Sequence, residues 1–290
     1  MKLKTLLKLF RVNQYTKNLF VVAPAFFGLE LTDFDMLDKL FNVFLAFCLA
    51  SSAVYIANDL YSDPDSERKN PLVNTRPIQA GQVNEQQADY WFKVTISLAY
   101  LIAGFNVNME AFRIILGYTL LNVLYTLLLK KFFMVDLLVI VAGFELRVMA
   151  GCAAIGHKMT AFLTLEIFVV CSMLVLAKRQ FENGIINDSA RPTIKRYTKE
   201  LCIRNITSMA VTANIIYILY CFWGESIPNI RHREYMFLSC VLVMLASLRF
   251  VLMAKQEKLC YNITNLFLKD YVLMPLSLLW TAVVTYALYF

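Results

Sequence analysis

Residues 58–83, NDLYSDPDSERKNPLVNTRPIQAGQV, form a long polar stretch in an otherwise very apolar chain, and the predicted fold is built around it. It follows directly on residues 41–57, a run without a charged side chain. The charged residues of the stretch are Asp59, Asp63, Asp65, Glu67, Arg68, Lys69 and Arg76. We therefore expect the apolar runs on either side to form helices that surround this polar segment.

The composition is that of a membrane protein. Hydrophobic residues make up 59% of the 290 and charged residues 17%, with a mean hydropathy of +0.57. Soluble domains are about half apolar and about a quarter charged. We predict an all-α integral membrane protein, a single polytopic domain over residues 1–290 with nine transmembrane helices, several of them near the ~20 residues that span a bilayer. The predicted spans are 19–31, 39–57, 92–107, 111–129, 133–155, 160–177, 207–223, 235–254 and 271–289.

Lysine and arginine set the predicted orientation, because they concentrate in cytoplasmic loops. With the N-terminus inside, inner segments and span edges hold most of the 28 Lys and Arg residues. We predict a multi-pass protein of the cytoplasmic (inner) membrane with its C-terminus outside. The net charge of +7 then reflects topology and attraction to anionic lipids or phosphorylated substrates. No nucleic-acid partner is predicted, and a homo-oligomer is left open.

An N-terminal helix and two inner loops complete the predicted organisation. Residues 1–17 alternate leucines with lysines, which is typical of an amphipathic helix on the inner membrane surface. The alternative, a signal peptide, lacks a long enough apolar run. Residues 58–91 and 178–204 are the predicted inner active-site loops. Gln14, Lys17 and Asn18 are candidate binding residues at the mouth of the first span, with a snorkelling lysine as the alternative.

A row of acids in the polar stretch predicts a metal site. Asp59, Asp63 and Glu67 are spaced i, i+4, i+8, so a continuing helix would place three carboxylates on one face. Such a row repels itself, and a divalent cation would relieve the repulsion. Oxygen ligands without histidine suit Mg²⁺, which shares its coordination shell with substrate phosphates. Pro64 would kink the helix here, and a solvated acidic loop is the alternative.

Bases beside the acids, Arg68, Lys69 and Arg76, indicate phosphate chemistry. Acids for a metal and bases for phosphate oxygens are what a diphosphate-leaving reaction needs. The next residues are predicted to form a tight turn that re-enters the bundle, with Pro77 as its rigid and Gly81 as its permissive position.

Charged residues also fall inside the fifth predicted span. Burying the charges of Glu145 and Arg147 in a membrane span costs free energy, and charged residues at such positions usually have a function. They are two residues apart and cannot face each other on one helix, so each needs another partner; Glu166 in span six is available to Arg147. A structural ion pair is the alternative. Gly143 and Gly151 would permit a close helix approach.

Further candidates lie at the inner ends of spans four to six, where snorkelling lysines and ordinary positive-inside loops are the alternatives. The patch after span six is net basic and lies on the same membrane side as the acids. These candidates are Tyr125, Lys130, Asp136, Lys178, Arg179 and Glu182.

The motifs resemble the UbiA superfamily of intramembrane prenyltransferases. Its first aspartate-rich motif is similar to the run that begins at Asn58-Asp59 and ends at Gly81, which here is one residue longer than usual. Other motifs are similar to the decaprenyl-phosphate phosphoribosyltransferase branch of that superfamily. They are Gln14-x-x-Lys17-Asn18, Ala23-Pro24, Tyr125-Thr126, Lys130, Asp136, Gly143-Phe144, Arg147, Ala150-Gly151, Lys178-Arg179 and Glu182.

The resemblance implies transfer of 5-phosphoribose from 5-phosphoribosyl-1-diphosphate to a polyprenyl monophosphate, with release of diphosphate, for cell-envelope pentose synthesis. It implies Mg²⁺ on Asp59, Asp63 and Glu67, and membrane lipids as surroundings. The implied catalytic residues are Asp59, Asp63, Lys130 and Asp136. The implied substrate-binding residues are Gln14, Lys17, Asn18, Asn58, Arg68, Arg76, Tyr125, Arg147, Lys178, Arg179 and Glu182.

Two other functions fit parts of the sequence. One is a prenyltransferase that moves a prenyl group from its diphosphate to an aromatic acceptor, but the second aspartate-rich motif of those enzymes is missing after span six. The other is a transporter of a lipid-linked anion, which the intramembrane Glu145, Arg147 and Glu166 would suit. The chain shows no internal repeat, a feature of many secondary transporters.

Overall fold

The computed structural model describes residues 2–61, 76–185, 193–224, 230, 232–256 and 269–290, and within these ranges the chain is helical without strands. The α-helices are α1 Leu3–Leu9, α2 Ala23–Phe27, α3 Phe34–Tyr61, α4 Glu85–Leu101, α5 Met109–Leu127, α6 Val135–Ile155, α7 Ala161–Asn183, α8 Lys199–Trp223, α9 Arg233–Lys255 and α10 Leu273–Tyr289. A 3₁₀ segment, Val12–Val22, joins α1 to α2, and a π-helical turn, Ile102–Val107, extends α4.

The helices are those of a membrane protein, as the composition predicts. Among the described residues, five helices are long and apolar enough to cross a bilayer: α3, α6, α7, α8 and α9. The apolar α10 is shorter, at 17 residues, and the first predicted span, 19–31, covers the end of the 3₁₀ segment, the five-residue α2 and the residues just after it. The count of nine spans therefore stays a prediction.

Large apolar side chains cover the outer surface of α8. Val211, Ile215, Ile218 and Phe222 are all exposed and recur at helical spacing along one face. A stripe of this size facing water would drive association, whereas in a bilayer it meets lipid tails. The exposed surface thus agrees with the membrane assignment.

The ends of several helices are fixed by side-chain caps. Asn84, Asn108, Thr160 and Thr198 each accept a hydrogen bond from the backbone amide three residues on, at the starts of α4, α5, α7 and α8. Such caps satisfy backbone donors that a helix leaves open at its N-terminus.

The N-terminal helix is shorter than predicted. It ends at Leu9 rather than near residue 17, because Arg11 has a left-handed backbone conformation with φ +50°. Pro24 lies in the first turn of α2, where proline is tolerated since no helical hydrogen bond is lost. α3 runs on to Tyr61 and α7 to Asn183, so both helices extend into the segments predicted as inner loops.

The chain forms two compact units. The first comprises Met1–Phe26, Glu30–Met159 and Ile186–Thr193, and the second comprises Phe27–Leu29, Thr160–Ile185 and Ile194–Phe290. In the first unit, α3 packs against α4, α5, α6 and the 3₁₀ segment around a core that includes Phe47, Ile115 and Tyr118.

The second unit is built on α7, α8, α9 and α10, which pack in chain order. Buried polar contacts join its helices: the Tyr217 hydroxyl lies 2.8 Å from Ser239 Oγ and accepts a hydrogen bond from Trp280 Nε1 at 3.0 Å. Arg249 of α9 forms an ion pair of 2.7 Å with Asp270, just before α10. Specific polar contacts thus join the helices of the second unit.

Candidate active site

Asp59 is the centre of the candidate site in the first unit. It lies in the last turn of α3, and its side chain is only 2% exposed. Two arginines approach the same carboxylate oxygen: Arg11 Nη2 lies 2.5 Å and Arg76 Nη1 2.7 Å from Oδ1. A carboxylate at this depth needs such charge compensation. We call these three residues the Asp59 clamp.

Arg11 enters the clamp from the N-terminal segment. Its left-handed backbone turns the chain between α1 and the 3₁₀ segment, and its guanidinium lies 4.6 Å from the centre of the Tyr55 ring. A cation over an aromatic ring is held by the ring's quadrupole. Tyr55 thus fixes the arginine one helical turn above Asp59.

Arg76 enters from the predicted turn, which the structure confirms. The backbone amides of Ala80 and Gln82 bond the carbonyls of Arg76 and Pro77 at 2.8 Å, and Gly81 has φ +67°. The turn continues into Val83, which packs with Leu9 and Ile56 in a buried apolar cluster. This cluster anchors the backbone that carries Arg76.

Asn58 and its neighbours extend the polar region. Thr126 Oγ1 donates to Asn58 Oδ1 at 3.2 Å, which joins the end of α3 to α5. Tyr125 precedes Thr126 on α5, and Lys130 lies in the short 3₁₀ turn, Leu129–Lys131, after it. Asp136 is fully buried in the first turn of α6, where the helix dipole favours a carboxylate.

Arg147 and Asn18 lie deeper in the same unit. Arg147 donates to Asn18 Oδ1 at 2.8 Å, to the Gly143 carbonyl at 2.6 Å and to the Tyr118 hydroxyl at 3.0 Å. Asn18 in turn donates to Ser51, which precedes Asp59 by eight residues, or about 12 Å along α3. We call Arg147, Asn18, Tyr118 and Gly143 the Arg147 lock.

The partners of Arg147 in the lock are neutral groups. They hold α6 to the 3₁₀ segment, and Gly151 permits the approach, since a β-carbon there would lie 2.0 Å from the Val21 carbonyl oxygen. These contacts give Arg147 and Asn18 a packing role. Their role in substrate binding stays a prediction, as does a pairing with Glu166, which belongs to the second unit.

Gln14 and Lys17 lie on the 3₁₀ segment, half-buried. The segment is fastened to α3 by Tyr15, whose hydroxyl shares a 2.8 Å hydrogen bond with Ser52 Oγ. The binding roles of Gln14 and Lys17 stay predictions.

The second predicted patch lies in the second unit. Lys178, Arg179 and Glu182 stand on the last turns of α7 rather than in a loop. Glu182 lies 2.5 Å from Arg179 and 3.7 Å from Lys178, and these i, i+3 and i, i+4 pairs extend the helix beyond its apolar part. Two cations share one carboxylate, so the patch is net basic, as predicted.

Three predicted site residues, Asp63, Glu67 and Arg68, lie outside the described residues. Sequence reasoning missed Arg11 as a site residue and assigned it to the amphipathic surface. Nothing in the local pattern links it to Asp59, 48 positions away. The one available signal is that an aspartate directly after a long apolar helix needs a cation nearby if it is buried.

Asp59 supplies one carboxylate of the kind that Mg²⁺ prefers, and its role as a metal ligand stays a prediction. Within the described ranges, no three acidic, histidine or cysteine side chains gather to form a complete metal site. Mg²⁺ does not need one, since it often takes one or two carboxylates and completes its shell with substrate phosphates and water. In the structure, Oδ1 of this carboxylate is contacted by the guanidinium groups of Arg11 and Arg76.

The comparisons with known proteins agree with this architecture. A model of the UbiA prenyltransferase family matches residues 19–269. Decaprenyl-phosphate phosphoribosyltransferases from Mycolicibacterium smegmatis and Mycobacterium tuberculosis are each 25% identical over 98% of this chain and over 92% and 94% of their own lengths. The fold is similar to that of a UbiA homologue from Archaeoglobus fulgidus solved with DMAPP and Mg²⁺. The two structures superpose with a TM-score of 0.73 at 15% sequence identity, and the match covers 97% of this chain and 96% of the other. The chain belongs to the UbiA prenyltransferase family.

Proposed function

We propose that the protein transfers 5-phosphoribose from 5-phosphoribosyl-1-diphosphate to a polyprenyl monophosphate, releasing diphosphate, for cell-envelope pentose synthesis. The observation that carries this proposal is the similarity to decaprenyl-phosphate phosphoribosyltransferases over nearly the whole length of both chains. The net basic end of α7 supports it, because both substrates of that reaction carry phosphate groups. We place the protein in the cytoplasmic membrane with its N-terminus inside.

The donor diphosphate would bind at the Asp59 clamp. Mg²⁺, held by Asp59 and by the predicted ligands Asp63 and Glu67, would neutralise charge on the departing diphosphate. Arg76 offers a planar fork of N–H donors that matches phosphate oxygens, and Asn58 would position the donor beside it. Lys130 and Arg68 would neutralise further charge on the leaving group.

The acceptor reaction needs little proton transfer. An oxygen of the lipid phosphate attacks C1 of the ribose, the C1–O bond to diphosphate breaks, and the electron pair leaves with the diphosphate. The attacking oxygen is already anionic, so positioning and electrostatics carry the catalysis. Lys17, Lys178 and Arg179 would bind the remaining phosphates, and Asp136 would offset positive charge that develops on the ribose ring.

A transfer assay tests the proposal. Purified protein in detergent receives Mg²⁺, 5-phosphoribosyl-1-diphosphate labelled in the ribose and a polyprenyl monophosphate, and label in the organic phase is counted. We expect lipid-linked label that is lost when EDTA is added. The proposal is wrong if no label is transferred while a prenyl diphosphate is consumed with an aromatic acceptor.

A further inference from the structure

We propose that Cys221 and Cys240 form a peroxide-sensitive thiol pair, which closes to a disulfide between α8 and α9 when it is oxidised. The two residues are 19 positions apart in the chain, and both belong to the second unit. The inference concerns a reaction of the protein's own thiols, so it does not depend on which group the enzyme transfers.

The two sulfur atoms are already in contact. Cys221 lies in the last turn of α8 and Cys240 lies two turns into α9, and their Sγ atoms are 3.6 Å apart. Both thiols also donate to the carbonyl oxygen of Met236, at 3.7 Å and 3.5 Å, so one acceptor holds them side by side. Because the S–S distance in a disulfide is about 2.05 Å, the sulfurs have to approach by only about 1.6 Å.

Hydrogen bonds between α8 and α9 fix the register that brings these thiols together. One turn before Cys221, the hydroxyl of Tyr217 lies 2.8 Å from Oγ of Ser239. Nearly one turn earlier again, Asn214 Nδ2 donates to Ser247 Oγ at 2.8 Å. Two specific contacts along the same helix pair thus hold the thiols in place, and the disulfide needs no change of helix register.

Unequal exposure gives the two thiols different roles. Cys221 is 1% exposed, whereas Cys240 is partly exposed on a face of α9 that also carries the exposed Phe237 and Met244. Oxidation of a thiol to sulfenic acid follows its accessibility. A peroxide is small and uncharged, so it can reach a thiol on such an apolar face. Cys240 is therefore the thiol that meets the oxidant, and Cys221 is the one that closes the disulfide.

The reaction consumes one peroxide for each disulfide formed. The sulfur of Cys240 attacks a peroxide oxygen, the O–O bond breaks, and the thiol proton leaves with the departing oxygen as water or an alcohol. The sulfur of Cys221 then attacks the resulting sulfenic acid. The new S–S bond forms as the S–O bond breaks, and the hydroxyl group leaves as water with the Cys221 proton. The thiols are oxidised, the peroxide is reduced, and a dithiol reductant reverses the link.

Peptide mapping of the oxidised protein tests the inference. The full-length protein in detergent is treated with hydrogen peroxide, its remaining thiols are blocked, and it is digested without reduction. We expect a loss of two of the seven thiols and a peptide in which Cys221 is joined to Cys240. A dithiol reductant should return both thiols.

Single variants separate the two roles. Cys240→Ser should keep the Cys221 thiol reduced, because the buried sulfur does not meet the peroxide. Cys221→Ser should leave Cys240 as a sulfenic acid, which dimedone traps as a stable adduct. The matched control is Cys152→Ala, at a buried cysteine of α6 in the first unit, which should form the link as wild type does.

Two results with wild-type protein would overturn the inference, and neither depends on how the variants fold. One is that both thiols stay reduced at a peroxide concentration that oxidises free cysteine. The other is that Cys240 is oxidised to sulfinic acid without any link to Cys221, which would mean that the second thiol cannot reach the first. Because the readout is a covalent bond and not turnover, a failure of phosphoribosyl transfer leaves the result of this test unchanged.

Discussion

Asp59 shows how a carboxylate is stabilised at the end of a membrane helix. Its charge is balanced by Arg76 from a turn 17 residues on and by Arg11 from 48 residues before. The sequence predicts Asp59 and Arg76 together because they share one polar stretch. It does not predict Arg11, since contact between distant segments depends on how α1 and α3 meet.

Replacing Asp59 with Asn should abolish most activity. The change removes the charge that would attract the cation, which is also the charge that Arg11 and Arg76 contact. We expect phosphoribosyl transfer to fall at least about 100-fold at saturating Mg²⁺, in the range seen when a key electrostatic group is removed. Asp38→Asn, the same change at an exposed position of α3, should leave the rate near wild type. Normal turnover of Asp59→Asn would remove Asp59 from the site.

Arg147 is a second residue whose partners only the structure gives. Its position inside a span predicts that it needs partners, but the partners found are an amide oxygen, a carbonyl oxygen and a phenol from three different segments. Three aromatic rings also lie within 5.6 Å of the guanidinium, those of Phe47, Tyr118 and Phe144.

Arg147→Lys should destabilise the first unit although the charge is kept. Lysine cannot reproduce the planar fork that reaches three acceptors at once, so buried acceptors lose their donors. We expect a loss of about 2–4 kcal/mol, observed as a lower thermal midpoint in detergent. The control is Arg113→Lys on the exposed face of α5, which should unfold as wild type does. Equal midpoints for both variants would mean that the lock contributes no stability.

At the scale of elements, the contact between α6 and the 3₁₀ segment depends on one glycine. The sequence predicts close approaches at both Gly143 and Gly151. The structure selects Gly151, where an added β-carbon would overlap the Val21 carbonyl, whereas at Gly143 it would lie at ordinary distances of 3.5 Å and more. Which glycine makes the close contact depends on the path of the 3₁₀ segment, and the periodicity of the sequence does not predict that path.

Gly151→Ala should therefore displace the 3₁₀ segment from α6. The overlapping atom belongs to the backbone and cannot rotate away, so we expect a lower thermal midpoint and weaker donor binding, because the segment carries Gln14 and Lys17. Gly117→Ala is the matched control: nothing lies within 4 Å of its added carbon, and alanine favours a helix by about 1 kcal/mol over glycine. A stable, fully active Gly151→Ala protein would contradict the packing described for α6.

The start of α10 gives a pH prediction. Asp270 accepts hydrogen bonds from the amides of Val272 and Leu273, where α10 begins, and its hydrogen-bonded ion pair with Arg249 lowers the pKa of the Asp270 carboxyl to about 2. A lowered pKa adds stability at pH values above the unfolded pKa of 3.8 and loses it as the pH falls toward 2.

Asp270→Asn should isolate this ion pair, since the amide oxygen of asparagine can accept the same two backbone hydrogen bonds. We expect the variant to unfold at a lower temperature than wild type by a constant amount between pH 8 and pH 5, and the difference to shrink below about pH 4. Asp33→Asn, at an exposed aspartate that also bonds amides at a helix start, should show little difference at any pH. If the difference in unfolding temperature between Asp270→Asn and wild type grew on acidification, the ion pair would not stabilise the protein in the way described.

For the whole molecule, composition and charge asymmetry predict an all-α membrane protein, and the fold of the described residues agrees. The residues at which its helices begin and end depend on local contacts, which a hydropathy pattern does not predict. α1 stops at the left-handed Arg11, and α7 continues past its apolar run because Arg179 and Glu182 pair on successive turns. The division into two units likewise has no marker in the chain, such as a linker rich in glycine or proline.

The central claim is that the lipid is the acceptor and the sugar diphosphate is the donor. It is tested most directly by giving one preparation of the protein two substrate pairs in parallel and measuring diphosphate release: 5-phosphoribosyl-1-diphosphate with a polyprenyl monophosphate, and a prenyl diphosphate with an aromatic acceptor. We predict release only from the first pair, with one lipid-linked phosphoribose formed for each diphosphate. Release only from the second pair would contradict the account and make the protein a prenyl-donor enzyme of the same family.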